Sequence, residues 1–506
     1  MRRKGSKLFS LAAVVVACAA TFSGCATTTE VANSPTPAPT AKADGGKIPV
    51  TSSSEEAKKE FMQARDMAER LLAQDSLQHY DKAISLDPNF ASAELGRANA
   101  SPTAKEFFDH LKKAVSLADK ASEGERLLIL ATEAGANANA AKQKEYLDKL
   151  VAAHPNDERA HFQLGGYFFG QQDFTQAIEH YKKATEISPN YSPAYNILGY
   201  AYRQNGDYAN AESAFKKYIE LIPNDPNPYD SYAELLLKMG KFDDSIAQYR
   251  KALSIDQNFI NSHNGIAAAL LYGGKAEEAS AELQKINDKA RSDGDRRTAL
   301  FGMTVVDADG GKLDKALADV DKQYALGEKI NDVAAMTGDL QLKGVILVEM
   351  GKYDEAKEQF DKLLKMIDES TLAQEIKDNA KLFHHYNLAT VAIGKKDFTT
   401  AKAEAEEFRK GVEGSKNPNQ VKQSHELAGM IALAENDYDK AIAEIQQSNQ
   451  QNPQNLYRLA LAYQGKKDDA KSKEFAKKAA DFYSLPQLNY AFVRAKAEKI
   501  AGDKSA

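Results

Sequence analysis

Thiols and indoles are almost missing from this chain of 506 residues, which contains two cysteines and no tryptophan. Both cysteines, Cys18 and Cys25, lie near the amino terminus. The rest of the chain therefore cannot hold disulfides, cysteine-ligated metal clusters or a cysteine nucleophile. The chain is not basic either, because its 66 Lys and Arg residues are outnumbered by 72 Asp and Glu residues, which gives a formal net charge of -6. Nucleic acid is therefore not predicted as a partner.

Residues 1–24 have the pattern of a secretory signal peptide. Four basic residues among the first seven precede an apolar stretch at 8–22, and no acidic residue interrupts them. The apolar stretch has about 15 residues, fewer than the ~20 that a helix needs to cross a bilayer. A permanent transmembrane helix is therefore not predicted.

The apolar stretch ends in Phe22-Ser23-Gly24-Cys25, which resembles the bacterial lipoprotein box, where a lipidated cysteine becomes the first mature residue. The resemblance implies that Cys25 carries acyl chains such as palmitate and anchors the protein to a membrane. Two alternatives stay open: the box Val15-Val16-Ala17-Cys18, and cleavage by the ordinary signal peptidase beside a chance cysteine. Cleavage before Cys25 would leave 62 basic and 72 acidic residues, a net charge of -10. Attachment would then depend on the acyl chains and not on a basic patch.

Residues 26–54 are rich in Thr, Ala, Pro and Ser, and Pro35, Pro37 and Pro39 lie close together. Such a composition cannot form a core. We therefore predict a lipid-anchored flexible tether at 25–54.

The remainder of the chain has a period of 34 residues, which separates Pro189, Pro223 and Gln257. At the same interval a small residue is followed four positions later by a large apolar one. These pairs are Ala177 and Tyr181, Ala211 and Phe215, Ser245 and Tyr249, and Ala279 and Leu283. The pattern closely resembles the tetratricopeptide repeat. The resemblance implies an all-α fold, a right-handed superhelical solenoid of tetratricopeptide-like helix-turn-helix repeats.

The same residues explain why such a repeat folds. Apolar residues three and four positions apart predict two amphipathic helices in each repeat. Gly206, Gly240 and Gly351 mark the turn between them. Gly165 and Gly199 are small, so one helix can approach the other closely.

We predict two arrays of repeats. The amino-terminal array covers 55–290 and has its strongest 34-residue spacing at 158–290. The carboxy-terminal array covers 291–485, where the spacing widens to about 40–45 residues and predicts longer helices. A capping helix and tail follow at 486–506.

No catalytic, metal or cofactor site is predicted. The sequence predicts packing histidines at the register position where the repeat family has Trp, namely His161, His263, His385 and His425. His425-Glu426 begins like a zinc-protease motif, but the second histidine is missing. The Asp-rich segment 307–311 lacks the Glu that a calcium loop requires at its twelfth position. No Gly-Lys dipeptide is followed by Ser or Thr, so no phosphate-binding loop is predicted.

One face of the first helix in each repeat remains for binding. Positions 5, 9 and 12 of this helix lie away from its core positions. In the tetratricopeptide family this face lines the concave groove in which peptides bind. Aromatic, amide and charged side chains here suit an extended peptide. The predicted groove residues are Phe162, Phe169, Asn196, Tyr200, Arg203, Asp230, Glu234, Asn264 and Leu271.

Together these features predict a non-catalytic protein–protein interaction scaffold in the bacterial cell envelope. By analogy with lipoproteins, we expect a lipid-anchored protein at the outer membrane that faces the periplasm. Two alternatives stay open. One is a glycan-binding outer-membrane lipoprotein built on the same repeats, although the lack of Trp disfavours a sugar platform. The other is an enzyme whose site lies between degenerate repeats at 91–156 or 300–340.

Overall fold

The computed structural model describes residues 46–70, 72–415 and 417–502. Within these ranges the regular elements are helices and no β-strand is present, which confirms the predicted all-α fold class. None of the described helices is long and apolar enough to cross a membrane. Cys18, Cys25 and the predicted signal peptide lie outside the described residues, together with most of the predicted tether.

The helices form two compact units. The amino-terminal unit extends to Leu221 and includes the segment Ala373–Asn379, and the carboxy-terminal unit begins at Ile222 and contains the other described residues. The first unit contains α1 (Glu55–Glu69), α2 (Ala73–Leu86), α3 (Ala91–Asn99), α4 (Ala104–Leu117), α5 (Glu123–Ala136), α6 (Ala140–Ala153), α7 (Glu158–Gly170), α8 (Phe174–Ile187), α9 (Ser192–Gln204) and α10 (Tyr208–Leu221). The helices that follow are α11 (Pro226–Lys238), α12 (Phe242–Ile255), α13 (Ile260–Tyr272), α14 (Ala276–Asp288), α15 (Asp293–Asp309), α16 (Leu313–Glu328), α17 (Val333–Glu349), α18 (Tyr353–Asp368), α19 (Gln374–Gly394), α20 (Phe398–Ser415), α21 (Pro418–Ala434), α22 (Tyr438–Gln447), α23 (Pro453–Gly465), α24 (Asp469–Ala480), α25 (Leu488–Ala491) and α26 (Arg494–Ala501).

The division after Leu221 differs from the boundary that the sequence predicted after residue 290. The helices on either side of that predicted boundary, α14 and α15, pack against each other, so the array continues through it. Helices α7 to α14 have 13 or 14 residues, whereas α15 to α21 have 16 to 21. The longer helices account for the wider spacing of the motif after residue 290.

A residue in the left-handed conformation ends the first helix of successive hairpins. Between α5 and α14 these residues recur every 34 positions, at Ala138, Gln172, Gly206, Gly240 and Gly274. After Gly206, the Asp207 N–H donates to the Tyr202 carbonyl over 2.9 Å and closes the helix end. Glycine adopts this conformation without the steric cost of a Cβ, which explains the turn glycines in the sequence.

Where the left-handed residue is not glycine, the next residue caps the second helix. Its side-chain oxygen accepts a backbone N–H three positions further on. These turns are Ala138-Asn139, Gln172-Asp173, Lys396-Asp397, Asn436-Asp437 and Lys467-Asp468. The turn glycines at 240, 274, 311 and 351 precede lysines that form no such cap. A cap stabilises a helix by about 1 kcal/mol, which offsets the similar cost of a left-handed residue with a side chain.

Each hairpin packs through a small residue on its first helix and a large one on its second. A Cβ added to Gly199 would lie 2.7 Å from Cε1 of Phe215, and one on Gly165 would lie 2.8 Å from Cε1 of Tyr181. The small residue four positions before each ring is fully buried, as at Ala177. The small and large residues recur every 34 positions because each hairpin packs its two helices closely in the same way.

Residues 46–54 are bound along the amino-terminal unit, although the sequence placed them in the tether. Three backbone N–H groups of this segment donate to carboxylates near the starts of α3, α5 and α7. The donor and acceptor residues are Ser53 and Asp87 at 2.8 Å, Thr51 and Glu125 at 3.0 Å, and Ile48 and Asp157 at 2.8 Å. The segment is held because bonds from backbone donors to ionised carboxylates are stronger than neutral ones, which sequence composition does not reveal.

Candidate functional site

Helices α7 and α9 carry the predicted groove residues of the amino-terminal unit. Phe162 and Phe169 are half-buried on α7, and Phe162 packs edge-on against Tyr191 with ring centroids 5.6 Å apart. On α9, Tyr200 and Arg203 are half-buried, and the Arg203 guanidinium carbon lies 4.6 Å from the centre of the Tyr200 ring. The structure thus places aromatic surface and a cation within three residues of each other on one helix.

Asn196 lies one turn before Tyr200 and is 5% exposed. Its amide oxygen, Oδ1, is buried and has no hydrogen-bond partner. Leaving a buried acceptor unpaired costs about 1–3 kcal/mol, so buried polar groups in proteins are nearly always paired.

The predicted groove residues of the carboxy-terminal unit have different surroundings. Asp230 on α11 is buried, and its Oδ1 accepts a hydrogen bond of 2.6 Å from Ser262 Oγ on α13. Burial, and then the negative charge of Glu234, raise the pKa of the Asp230 carboxyl well above its ordinary value. Asn264 is half-buried, and its Oδ1 is also without a partner. Leu271 is 3% exposed.

Leu271 is buried in a core that the end of the chain completes. This core joins residues of α13 to Phe482 and Tyr490, which belong to the C-terminal segment, residues 481–501. The Tyr490 ring lies 5.2 Å from that of Tyr272, and the Tyr483 ring lies 5.0 Å from that of Phe242. The C-terminal segment, which includes residues predicted as a terminal cap, therefore packs on α12 and α13, and Leu271 offers no surface to a partner in this conformation.

The histidines form a repeated contact that sequence reasoning did not identify. In three hairpins the register histidine of the first helix pairs through Nδ1 with a glutamate that follows it by 19 residues on the second helix. These pairs are His263 and Glu282 at 2.5 Å, His385 and Glu404 at 2.6 Å, and His425 and Glu444 at 2.7 Å. The recurrence of Glu at this interval was visible in the sequence and could have predicted a contact across each hairpin.

The described residues contain no group of three or more His, Cys, Asp or Glu side chains positioned to hold a metal ion. The segment that begins like a calcium loop lies at the end of α15. There Asp307 pairs with Lys315 at 3.1 Å, and Asp309 pairs with Arg494 at 2.6 Å. These aspartates therefore serve as ion-pair partners within the fold.

Models of the TPR repeat match residues 167–206 and 233–273, and a further tetratricopeptide repeat model matches residues 192–225 and 340–369. The matched residues include α7 to α13 in part, and they agree with the helical hairpins described above. The matched stretches are therefore tetratricopeptide repeats.

Solved structures with similarity to the chain include MamA, with 23% identity over 33% of this chain and 91% of that chain, at a TM-score of 0.29. A thermophilic TPR protein from Thermus thermophilus has 26% identity over 32% of this chain and 92% of that chain, at a TM-score of 0.29. PilW, a type IV pilus biogenesis factor, has 17% identity over 40% of this chain and 94% of that chain, at a TM-score of 0.29. No curated protein matches the chain in sequence.

Proposed function

We propose that this protein is a non-catalytic scaffold that binds a peptide or protein segment on the predicted groove residues of α7 and α9 in its amino-terminal unit. Proteins built from tetratricopeptide repeats typically bind protein partners. The observation that carries the proposal is the half-buried aromatic and cationic surface of Tyr200 and Arg203 on α9, together with the half-buried Phe162 and Phe169 on α7. An extended peptide supplies side chains that can pack on such an aromatic surface.

We further propose that acyl chains on Cys25 anchor the scaffold at the outer membrane, where it faces the periplasm. The support is the resemblance of residues 22–25 to the lipoprotein box. Residues between Cys25 and the bound segment 46–54 would connect the anchor to the helices.

The test is crosslinking in intact envelopes followed by mass spectrometry. A triple variant, Phe162→Ala, Tyr200→Ala and Arg203→Ala, should reduce partner crosslinks at least tenfold, because it removes aromatic and cationic contact surface without changing the buried Asn196. In the same cells, Cys25→Ser should move the protein from the membrane fraction to the soluble fraction, whereas Cys18→Ser should not.

The matched control replaces three exposed residues on the second helices of the same hairpins, Glu179→Ala, Lys182→Ala and Lys216→Ala. This control should keep the partner crosslinks. Equal crosslinking by both triple variants would refute the groove, and a sugar-array signal that survives competition by peptide would favour the glycan-binding alternative.

A further inference from the structure

Hairpin α7–α8 departs from the His–Glu pattern of its sister hairpins. The position that Glu occupies 19 residues after His263, His385 and His425 is taken here by His180, which follows His161 by the same interval. The two Nδ1 atoms are 3.2 Å apart, and the ring centroids are 5.5 Å apart. The two nitrogens therefore lie between the rings and face each other.

The hydrogen positions of this pair follow from its neighbours. His161 Nε2 lies 3.1 Å from the Pro155 carbonyl oxygen, which can only accept, so Nε2 carries the hydrogen. His161 Nδ1 then has a lone pair, and the Nδ1–H of His180 donates to it. The pair is satisfied while both rings are neutral.

A second proton on the pair cannot be accommodated. If both rings are charged, each facing nitrogen carries a hydrogen, so the hydrogen bond is lost and two like charges lie 3.2 Å apart. In the sister hairpins the same protonation places an imidazolium against a carboxylate, which is attractive. We infer that the His161–His180 pair makes hairpin α7–α8 an acid-sensitive element of the array.

The surroundings of the pair support this inference. One face of the His180 ring stacks on Phe168, with centroids 5.5 Å apart and planes 9° apart. The charged groups that act on the pair are Lys144 and Asp148 of α6, Glu179 and Lys183 of α8, and Asp157 at the start of α7. The carboxylates favour protonation and the lysines oppose it.

Burial outweighs the carboxylates. It lowers the pKa of both His161 and His180, and the neighbouring imidazole lowers that of His180 further. In the unfolded chain histidines take up protons near pH 6.5, whereas the folded hairpin takes them up at lower pH. The contribution of the two histidines to the stability of the hairpin is therefore fully present above about pH 6.5 and is lost as the pH falls through the folded pKa values.

Hydrogen exchange of the full-length protein tests the inference. Exchange is measured at about pH 7.5 and about pH 5 with a chelator present, and the rates are corrected for the intrinsic exchange rates at each pH. In the wild type, the opening equilibrium of α7–α8 should rise at least about tenfold more than that of α13–α14, because one pKa unit of one coupled proton corresponds to a tenfold change. His180→Glu recreates the sister pair and should remove this excess.

If His180→Glu does not fold at neutral pH, His180→Ala replaces it, since Ala214 occupies this position in hairpin α9–α10. It should also remove the excess opening. The inference is overturned if wild type and variant respond alike to acid, or if both hairpins of the wild type open to the same extent.

Discussion

At the scale of single residues, Asp230 couples the stability of the carboxy-terminal unit to pH. Asp230 is 3% exposed, and its carboxyl group accepts a hydrogen bond from Ser262 Oγ. The folded pKa is raised, first by burial and then by Glu234, so the folded state binds a proton that the unfolded state releases near pH 4. The contribution of Asp230 to the free energy of unfolding therefore falls as the pH rises from about 4 through the folded pKa.

Asp230→Asn removes this ionisable group and keeps an oxygen that accepts from Ser262. We expect the variant to be more stable than the wild type at about pH 8 and nearly equally stable at about pH 3, where the wild-type carboxyl is protonated in the folded state and largely protonated in the unfolded state. Urea unfolding at the two pH values measures the difference. Glu277→Gln, at an exposed position of α14, is the control and should show no such pH dependence. An effect of Asp230→Asn that is equal at both pH values would contradict the assignment.

Residue roles were predictable where one repeat could be compared with the next. The small residues and the turn glycines recur every 34 positions, so their packing and their left-handed turns follow from register. The burial of Asp230 was not predictable. Register places this residue on the groove face but does not show its hydrogen bond with Ser262 of the next repeat. Periodicity identifies the face of a helix but not the partner that covers it.

At the scale of the helical hairpin, Gly199 sets the distance between α9 and α10. A Cβ at this position would lie 2.7 Å from the Phe215 ring, which is fully buried. We expect Gly199→Val to lower the free energy of unfolding by about 1–3 kcal/mol, the usual cost of overpacking a core. Thermal unfolding followed by circular dichroism measures the loss.

Gly170→Ala is the matched control in the same unit. Gly170 ends α7, and a Cβ there would meet nothing within 4 Å. Its substitution should leave stability unchanged or raise it by up to about 1 kcal/mol, because alanine favours the helix. A Gly199→Val variant as stable as Gly170→Ala would show that the helix register is wrong.

The helices were predictable from the sequence, but the ordered extended segment before them was not. Amphipathic spacing predicted paired helices, but extended segments leave no periodic signal. Residues 46–54 look like a tether by composition, yet their N–H groups bind Asp87, Glu125 and Asp157. Each of these carboxylates lies near the start of a helix, where a sequence reading assigns it only to capping.

At the scale of the whole molecule, the carboxy-terminal unit is completed by contacts between residues far apart in the chain. The C-terminal segment packs on α12 and α13, and the Arg494 guanidinium binds Asp309 through two bonds of 2.8 and 2.6 Å. Stacked repeats contact their neighbours, so their stability is close to a sum of local terms. A contact across 185 residues adds a term that couples distant repeats.

Arg494→Ala tests this coupling, because it leaves the buried Asp309 carboxylate without its cation. We expect the free energy of unfolding to fall by about 3–5 kcal/mol, with loss of hydrogen-exchange protection both at α26 and at the end of α15. The double variant Arg494→Met and Asp309→Asn removes both charges and should recover most of the loss, since the penalty comes from the unpaired charge. If the double variant is as unstable as the single one, the arginine side chain stabilises the unit by its packing and not by its charge. If α26 alone loses protection, the segment is only a local cap, as the sequence predicted.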